Sequence, residues 1–179
     1  MYQFNAINLD NGTFIVHPLR EEDMNRQNDL IQDIYEIFSD DETTIYTPEK
    51  KVESTKVVSD RLNGVVHRYH RGESFTHYIT LKKINKVIGV IDIISPSLVE
   101  KDYDIKDTWF IEYFLNKELW GRGIMSGIVG AIVNTMKKRG INRIGALCDS
   151  NNIRSVTILK KIGFKMTKHN GNQYLFTLE

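Results

Sequence analysis

The chain has 179 residues, 41% of them hydrophobic and 26% charged, which fits one globular domain with its own core and excludes a fibrous or disordered class. Lys and Arg number 24 and Asp and Glu 23, so the net charge of +1 gives no overall pull towards nucleic acid or an anionic membrane. A single cysteine, Cys148, excludes an intrachain disulfide. No apolar run approaches the roughly 20 residues that cross a bilayer, and MYQFNAINLD lacks the pattern of a signal peptide; the expected setting is cytoplasmic.

In chain order, Thr13–Leu19 alternates towards a proline and predicts a first strand. Leu30, Ile34, Ile37 and Phe38 share one helical face, and Thr47-Pro48 reads as the start of a second helix whose stripe is Val58, Leu62, Val65, Val66 and Tyr69. SFTHYITL (Ser74–Leu81) and KVIGVIDII (Lys86–Ile94) predict a hairpin, and Asp107–Leu115 a fourth strand. SPSLVEKDYDIKD between them is expected to be irregular. A helix from Ile124 to Gly140, a strand at Arg143–Cys148, a helix marked by Ile153, Val156, Leu159 and Ile162 and stopped by Gly163, and a last hairpin turning at Asn170-Gly171 complete the pattern. The expected architecture is α/β (α+β mixed): one domain over residues 1–179, a central, mostly antiparallel sheet of about seven strands, and about four helices.

Between the fourth strand and the next helix lies WGRGIMSG, Trp120 to Gly127, with three glycines. A strand, glycines and a helix N-terminus form an anion site, because unpaired backbone N–H groups and the positive end of the helix dipole meet there. A Walker-type loop would need Gly-Lys-Ser/Thr, which is absent. A dinucleotide site is the second option: Gly121, Gly123 and Gly127 precede a helix and Asp149 follows the next strand, but about 30 residues remain for a second half. The third option is the pyrophosphate of acyl-coenzyme A.

The segment from Tyr113 to Phe164 resembles the GNAT N-acetyltransferases, in particular their RimJ/RimL-like branch. The resemblance rests on Tyr113-Phe114-Leu115, Trp120 to Gly123, Asn142-Arg143, Asn152 to Ser155 and Leu159 to Phe164, in that order, and on the opening IVHPLREEDM. It implies a sheet splayed where acetyl-CoA binds and direct acetyl transfer in a ternary complex, with no metal. It assigns backbone around Phe114, Leu115 and Asn116 to pantetheine and the thioester. It assigns the loop of Trp120, Gly121, Arg122, Gly123, Ile124, Met125 and Ser126 to the pyrophosphate, and Asn152 and Ser155 to pantetheine and the departing thiolate. Other GNATs carry a tyrosine acid where Leu159 stands here, and the branch has arginine where His17 stands.

Glu112, the acid inside WFIEYFL, is the candidate general base, since flanking apolar residues raise a carboxyl pKa. Its alternative is a strand acid turned to solvent or paired with a lysine. Ser155 is the candidate acid or water-positioning group, with a first-turn hydroxyl as its alternative, and Asn152 is also read as a helix cap. Cys148 reads as a buried, inert thiol, His67/His70 as a surface pair and His77 as a core or cleft residue. Lys137, Lys138, Arg139 and Arg143 read as compensation of a helix dipole.

The resemblance implies an amine acceptor: a protein N-terminus first, such as that of a basic ribosomal protein, and a polyamine or metabolite amine second. Nine acids from Glu21 to Glu42 are consistent with a cationic acceptor or with a solvated face. No direct nucleic-acid or membrane partner is expected, and the protein is expected to be a monomer or homodimer. The other function classes are a non-catalytic acyl-CoA-binding module and a dinucleotide-binding protein.

Overall fold

In the computed structural model, which describes residues 4–168 and 171–179, the first strands are short: β1 (Leu9–Asp10) pairs antiparallel with β2 (Phe14–His17). Four helices follow, α1 (Glu21–Asn25), α2 (Gln27–Phe38), α3 (Asp41–Thr44) and α4 (Thr55–His70). Then come β3 (Ser74–Leu81), β4 (Lys86–Ile94), α5 (Pro96–Tyr103), β5 (Trp109–Leu115), α6 (Ile124–Lys138), β6 (Ile144–Asp149), α7 (Ile153–Ile162), β7 (Lys165–Lys168) and β8 (Gln173–Leu178). The strands make one eight-stranded sheet in the order β1-β2-β3-β4-β5-β6-β8-β7. Its registered pairs are antiparallel except β5 with β6, which run parallel.

The chain divides into two compact units: the described residues up to Asp92 with Tyr113–Trp120, and Ile93–Glu112 with Gly121–Glu179. In the first, the apolar face of α2 (Leu30, Ile34, Ile37) packs with Val58 and Leu62 of α4 and with Tyr78, Val87 and Val90 of the sheet. In the second, α6 buries Ile128, Val129, Ile132, Val133 and Met136, and Ile144, Leu159 and Phe176 are wholly enclosed. Complete burial of such side chains stabilises by about 1.5–3 kcal/mol each. No helix among the described residues is long and apolar enough to cross a membrane.

Three expectations change. Thr47-Pro48 starts only a single 3-10 turn, Pro48–Lys50, with no side-chain cap. The long helix begins later because Ser54 supplies the cap, its hydroxyl accepting from the Val57 N–H at 3.4 Å. Meanwhile the Arg61 guanidinium donates to the carbonyls of Glu49, Lys50 and Lys51 and fixes the turn. The α4 stripe also narrows: Val58 and Leu62 are buried, but Val66 and Tyr69 are each 41% exposed. Finally, the stretch expected to be irregular contains α5, started by Ser95 with proline in the first turn and ended by Asp104 in the left-handed region. The last two strands pair as expected, Lys165 opposite Thr177, whereas Asn170 of the expected turn lies outside the described residues.

Candidate active site

In the first unit, the end of β5 is held by backbone and side-chain locks. The Asn116 N–H donates to the Ile88 carbonyl at 2.8 Å. A Cβ at Gly89 of β4 would lie 2.7 Å from the Phe114 carbonyl oxygen, so only glycine permits this approach. The Phe114 ring lies 4.8 Å from that of Phe38 at the end of α2. A 3-10 turn, Lys117–Leu119, then reverses the chain, with the Asn116 side chain accepting from the Glu118 N–H at 3.0 Å. The turn is closed by Trp120, whose indole N–H donates to the Leu115 carbonyl at 2.8 Å. Lys117 pairs with Asp40 and, at 3.5 Å, with Glu42, tying α3 and its cap to this turn.

In the second unit, Gly121 and Gly123 both have positive φ, 75° and 73°, a region costly for any residue with a Cβ. Gly123 is the N-cap of α6 and offers no side chain to cap it. The helical ladder opens with the Gly127 N–H on the Gly123 carbonyl at 3.1 Å, so the amides from Gly123 to Ser126 point out of the helix without an intrahelical acceptor. No acid stands between Trp120 and Ser126. Arg122 is exposed, Ile124 and Ser126 are half-buried, and Met125 is buried, so what Met125 can present is its amide. Gly127 has no positive φ and no crowding neighbour, so it is not part of the device.

The parallel ladder between β5 and β6 registers Trp109 with Ile144 and Phe110 with Gly145, at the start of both strands. Past the far end of β6, Asn152 caps α7, its side chain accepting from the Ser155 N–H at 3.2 Å. The Ser155 side chain also bonds the Cys148 thiol. Burial pushes the Cys148 thiol up, which the Ser155 bond only partly opposes and the Asp149 charge reinforces. Glu112 stands half-buried on β5 between buried Ile111 and half-buried Tyr113. Burial also pushes up the carboxyl of Asp33 of α2, which accepts from the Val87 N–H at 2.9 Å and from Arg26.

The acidic run from Glu21 to Glu42 is largely answered within its own unit. Arg20 pairs with Glu22 and Asp23, Arg26 with Asp33, Lys86 with Glu36, Lys117 with Asp40 and Glu42, and Lys51 with Asp41. His17 is 2% exposed, with Nδ1 2.8 Å from the Pro18 carbonyl and Nε2 2.8 Å from the Thr80 hydroxyl. Burial pulls its pKa down. His77 is enclosed, accepting from the Ile7 N–H at 2.9 Å with Phe75 O at 2.8 Å from Nδ1, as a core histidine does. His67 and His70 are exposed, and no group of metal-binding side chains occurs among the described residues.

Sequence reasoning missed Gly89, the Trp120 lock and the Lys117 pairs. A lone glycine inside an apolar strand was the available signal for the first. The other two depend on partners that local pattern does not reveal.

A family model described as an acetyltransferase (GNAT) domain matches residues 14–165. No curated protein matches the sequence. Among solved structures, a GNAT-family acetyltransferase from Bacillus anthracis superposes with a TM-score of 0.73 at 18% identity, covering 96% of this chain and 98% of that one. A ribosomal-protein-S5-alanine acetyltransferase from Vibrio fischeri gives 0.72 at 18% identity, covering 97% and 96%. RimL, a ribosomal L7/L12 α-N-protein acetyltransferase whose coenzyme A is in disulfide linkage with one of its cysteines, gives 0.67 at 18% identity, covering 97% of each chain. At these identities the superpositions establish a shared fold.

Proposed function

This chain belongs to the GNAT acetyltransferases, and we propose that it moves the acetyl group of acetyl-CoA directly onto a primary amine. The observation that carries this reading is the start of α6: uncapped amides from Gly123 to Ser126, reached through two left-handed glycines and free of any nearby acid in sequence. Those amides and Arg122 suit a pyrophosphate. The residues fit the co-substrate elsewhere too. Because the Leu115 carbonyl and the Asn116 N–H are already engaged, the pantetheine arm falls to the remaining backbone groups of Phe114 and Leu115. Asn152 orients that arm only with the part of its amide not spent on capping α7.

The chemistry needs a neutral amine, a polarised thioester carbonyl and a proton for the leaving sulfur. Glu112 takes the amine proton, directly or through one water, as the nitrogen attacks the acetyl carbon. The carbon–sulfur bond breaks, and the Ser155 hydroxyl hands its proton to the thiolate and is reprotonated from solvent. Cys148, held protonated by burial, does not compete as a nucleophile.

The favoured acceptor is a protein α-amine, with a reference pKa of about 8 against about 10.4 for lysine, because it yields its proton to a weak base more readily. The ribosomal-protein acetyltransferases among the structural neighbours favour the same class. A polyamine is the weaker reading, since the acids that would attract it are mostly paired internally. The test is thiol release from acetyl-CoA over a panel of peptides with free α-amines, lysine side chains with blocked N-termini, and polyamines. Release with α-amine peptides supports the reading; release only with polyamines removes the protein acceptor. Acetyl-CoA binding with no release on any amine removes the transfer reaction.

A further inference from the structure

Strand β3 carries a row of hydroxyls on one face. Ser74, Thr76 and Tyr78 are spaced two apart, so their side chains stand on the same side of the sheet, and all three are buried. Asp92, near the end of the neighbouring β4, joins them: its Oδ1 accepts from the Thr76 hydroxyl and, at 3.3 Å, from the Ser74 hydroxyl. These bonds fix the carboxylate and leave Oδ2 without a partner among the described residues. Tyr78 is 1% exposed, yet its hydroxyl also lacks a hydrogen-bond partner among the described residues. The enclosed side-chain polar atom left unpaired among those residues is Arg26 Nε, so the Tyr78 oxygen reaches solvent. A buried phenol ordinarily finds a partner, and phenylalanine would fill a core position without leaving an oxygen unpaired.

Burial, then the charges of Asp92 and Asp23, push the Tyr78 pKa upward, and Arg68 opposes them more weakly. The hydroxyl therefore stays protonated in surroundings that are net negative. Of the other charges nearby, Asp23 is held by Arg20 at 3.0 Å, burial pulls the His17 pKa down, and Arg71 pairs with Glu73. Arg68 lies back along α4, its Nη1 3.2 Å from where a Gly64 side chain would begin, and makes no ion pair among the described residues. An anion would face Asp92 directly. No group of three metal-binding side chains occurs among the described residues, so the open oxygens suit an organic cation.

We infer that Asp92 and Tyr78 form a subsite for a second cationic group of the acceptor, an ammonium or guanidinium that donates to Asp92 Oδ2 and the Tyr78 oxygen. This rests on the acetyl-transfer reading, which puts the thioester on the backbone of Phe114. Phe114 packs against the cluster of side chains that contains Tyr78. Gly89, where the Phe114 carbonyl closes on β4, stands three residues before Asp92, about 10 Å at about 3.3 Å per residue. A basic side chain at the second position of an acceptor peptide spans that distance from the reacting α-amine. The far nitrogen of a polyamine would supply the same chemistry.

The test compares thiol release from acetyl-CoA on short peptides with a free α-amine and arginine, glutamine or glutamate at the second position. Diaminobutane against butylamine forms the small-molecule arm. The arginine peptide should exceed the glutamine peptide at least tenfold in kcat/KM, with glutamate lowest. Asp92→Asn, which keeps an oxygen for Ser74 and Thr76, should bring that ratio to within about twofold of unity, and Tyr78→Phe should lower it about threefold. Asp60→Asn, an exposed α4 acid paired with Lys56, should leave the ratio unchanged. Circular dichroism and acetyl-CoA binding verify that each variant is folded. Anisotropy of a labelled arginine peptide reads the same site without turnover, so the two readings fail separately. Transfer with equal use of all peptides and both amines, or a preference that Asp92→Asn leaves intact, overturns the subsite alone. Peptide binding that Asp92→Asn abolishes, without transfer to any amine, supports the cation site and overturns the transfer. Absence of both binding and transfer overturns both. A preference for the diamine that Asp92→Asn removes, with none among the peptides, assigns the cation to a polyamine.

Discussion

Both units contain twelve lysines and arginines, yet sixteen acids fall in the first and seven in the second. In the first unit the charges and polar groups answer one another: the acids of α1 to α3 are held by Arg20, Arg26, Lys51, Lys86 and Lys117, and the end of β5 is locked by Asn116 and Trp120. In the second, the first amides of α6 have neither a side-chain cap nor an intrahelical acceptor. The first region holds its shape by closing its contacts, whereas the start of α6 in the second leaves backbone donors open. An acidic run that invites a cationic ligand in the sequence is thus mostly paired within the fold, whereas the start of α6 leaves the backbone donors that the proposed pyrophosphate would take.

The comparison is broken most severely by altering the chemistry. Glu112→Gln should lower kcat by about 10²–10⁴-fold with little change in the acetyl-CoA KM, and should remove the acidic limb of the pH profile. An unchanged rate and profile would transfer the base role away from Glu112. Next, Gly123→Ala forces a Cβ into a backbone with φ of 73°, at about 1–2 kcal/mol, and should raise the acetyl-CoA Kd about tenfold, measured by titration calorimetry. A smaller loss is expected on the closed side. Trp120→Phe keeps an aromatic side chain but deletes the bond to Leu115, about 1 kcal/mol, so the acetyl-CoA KM should rise about fivefold while kcat holds.

The remaining two effects are smaller. His17 has a folded pKa below its usual value of 6.5 because burial disfavours the charged ring. The unfolded chain therefore binds the proton more readily. The His17 contribution to stability is complete above pH 6.5 and is lost as pH falls from there towards the depressed folded pKa. Urea midpoints should decline across that window, and less so in His17→Gln. Smallest of all, Cys148→Ser should leave turnover within about twofold, since a thiol held protonated by burial takes no part in the transfer. Loss of most activity would instead favour a covalent acyl-cysteine route.

The elements readable from sequence are those whose signal is local. Ser74–Leu81 and Lys86–Ile94 are found with their limits, because their β-branched and aromatic runs stop at turn residues. Helix α6 is found from its apolar period, and Gly163 ends α7 with a φ of 101°. The glycine loop is legible for the same reason, since positive φ is a property of the residue itself. What escapes is decided by distant partners. Lys117 meets Asp40, Lys86 meets Glu36, and the tight approach at Gly89 depends on Phe114; no window of adjacent residues contains either member of such a pair with the other. Helix α4 starts late for a related reason: Arg61 occupies the carbonyls that would have continued a helix from Pro48.

The most direct test of the account is calorimetric titration of the whole protein with acetyl-CoA, repeated with Gly123→Ala and with NAD as the competing ligand class. Saturable one-to-one binding of acetyl-CoA is expected, weakened about tenfold by the substitution, with no binding of NAD. Binding of NAD in place of acetyl-CoA, or acetyl-CoA binding unmoved by the change at Gly123, would contradict it.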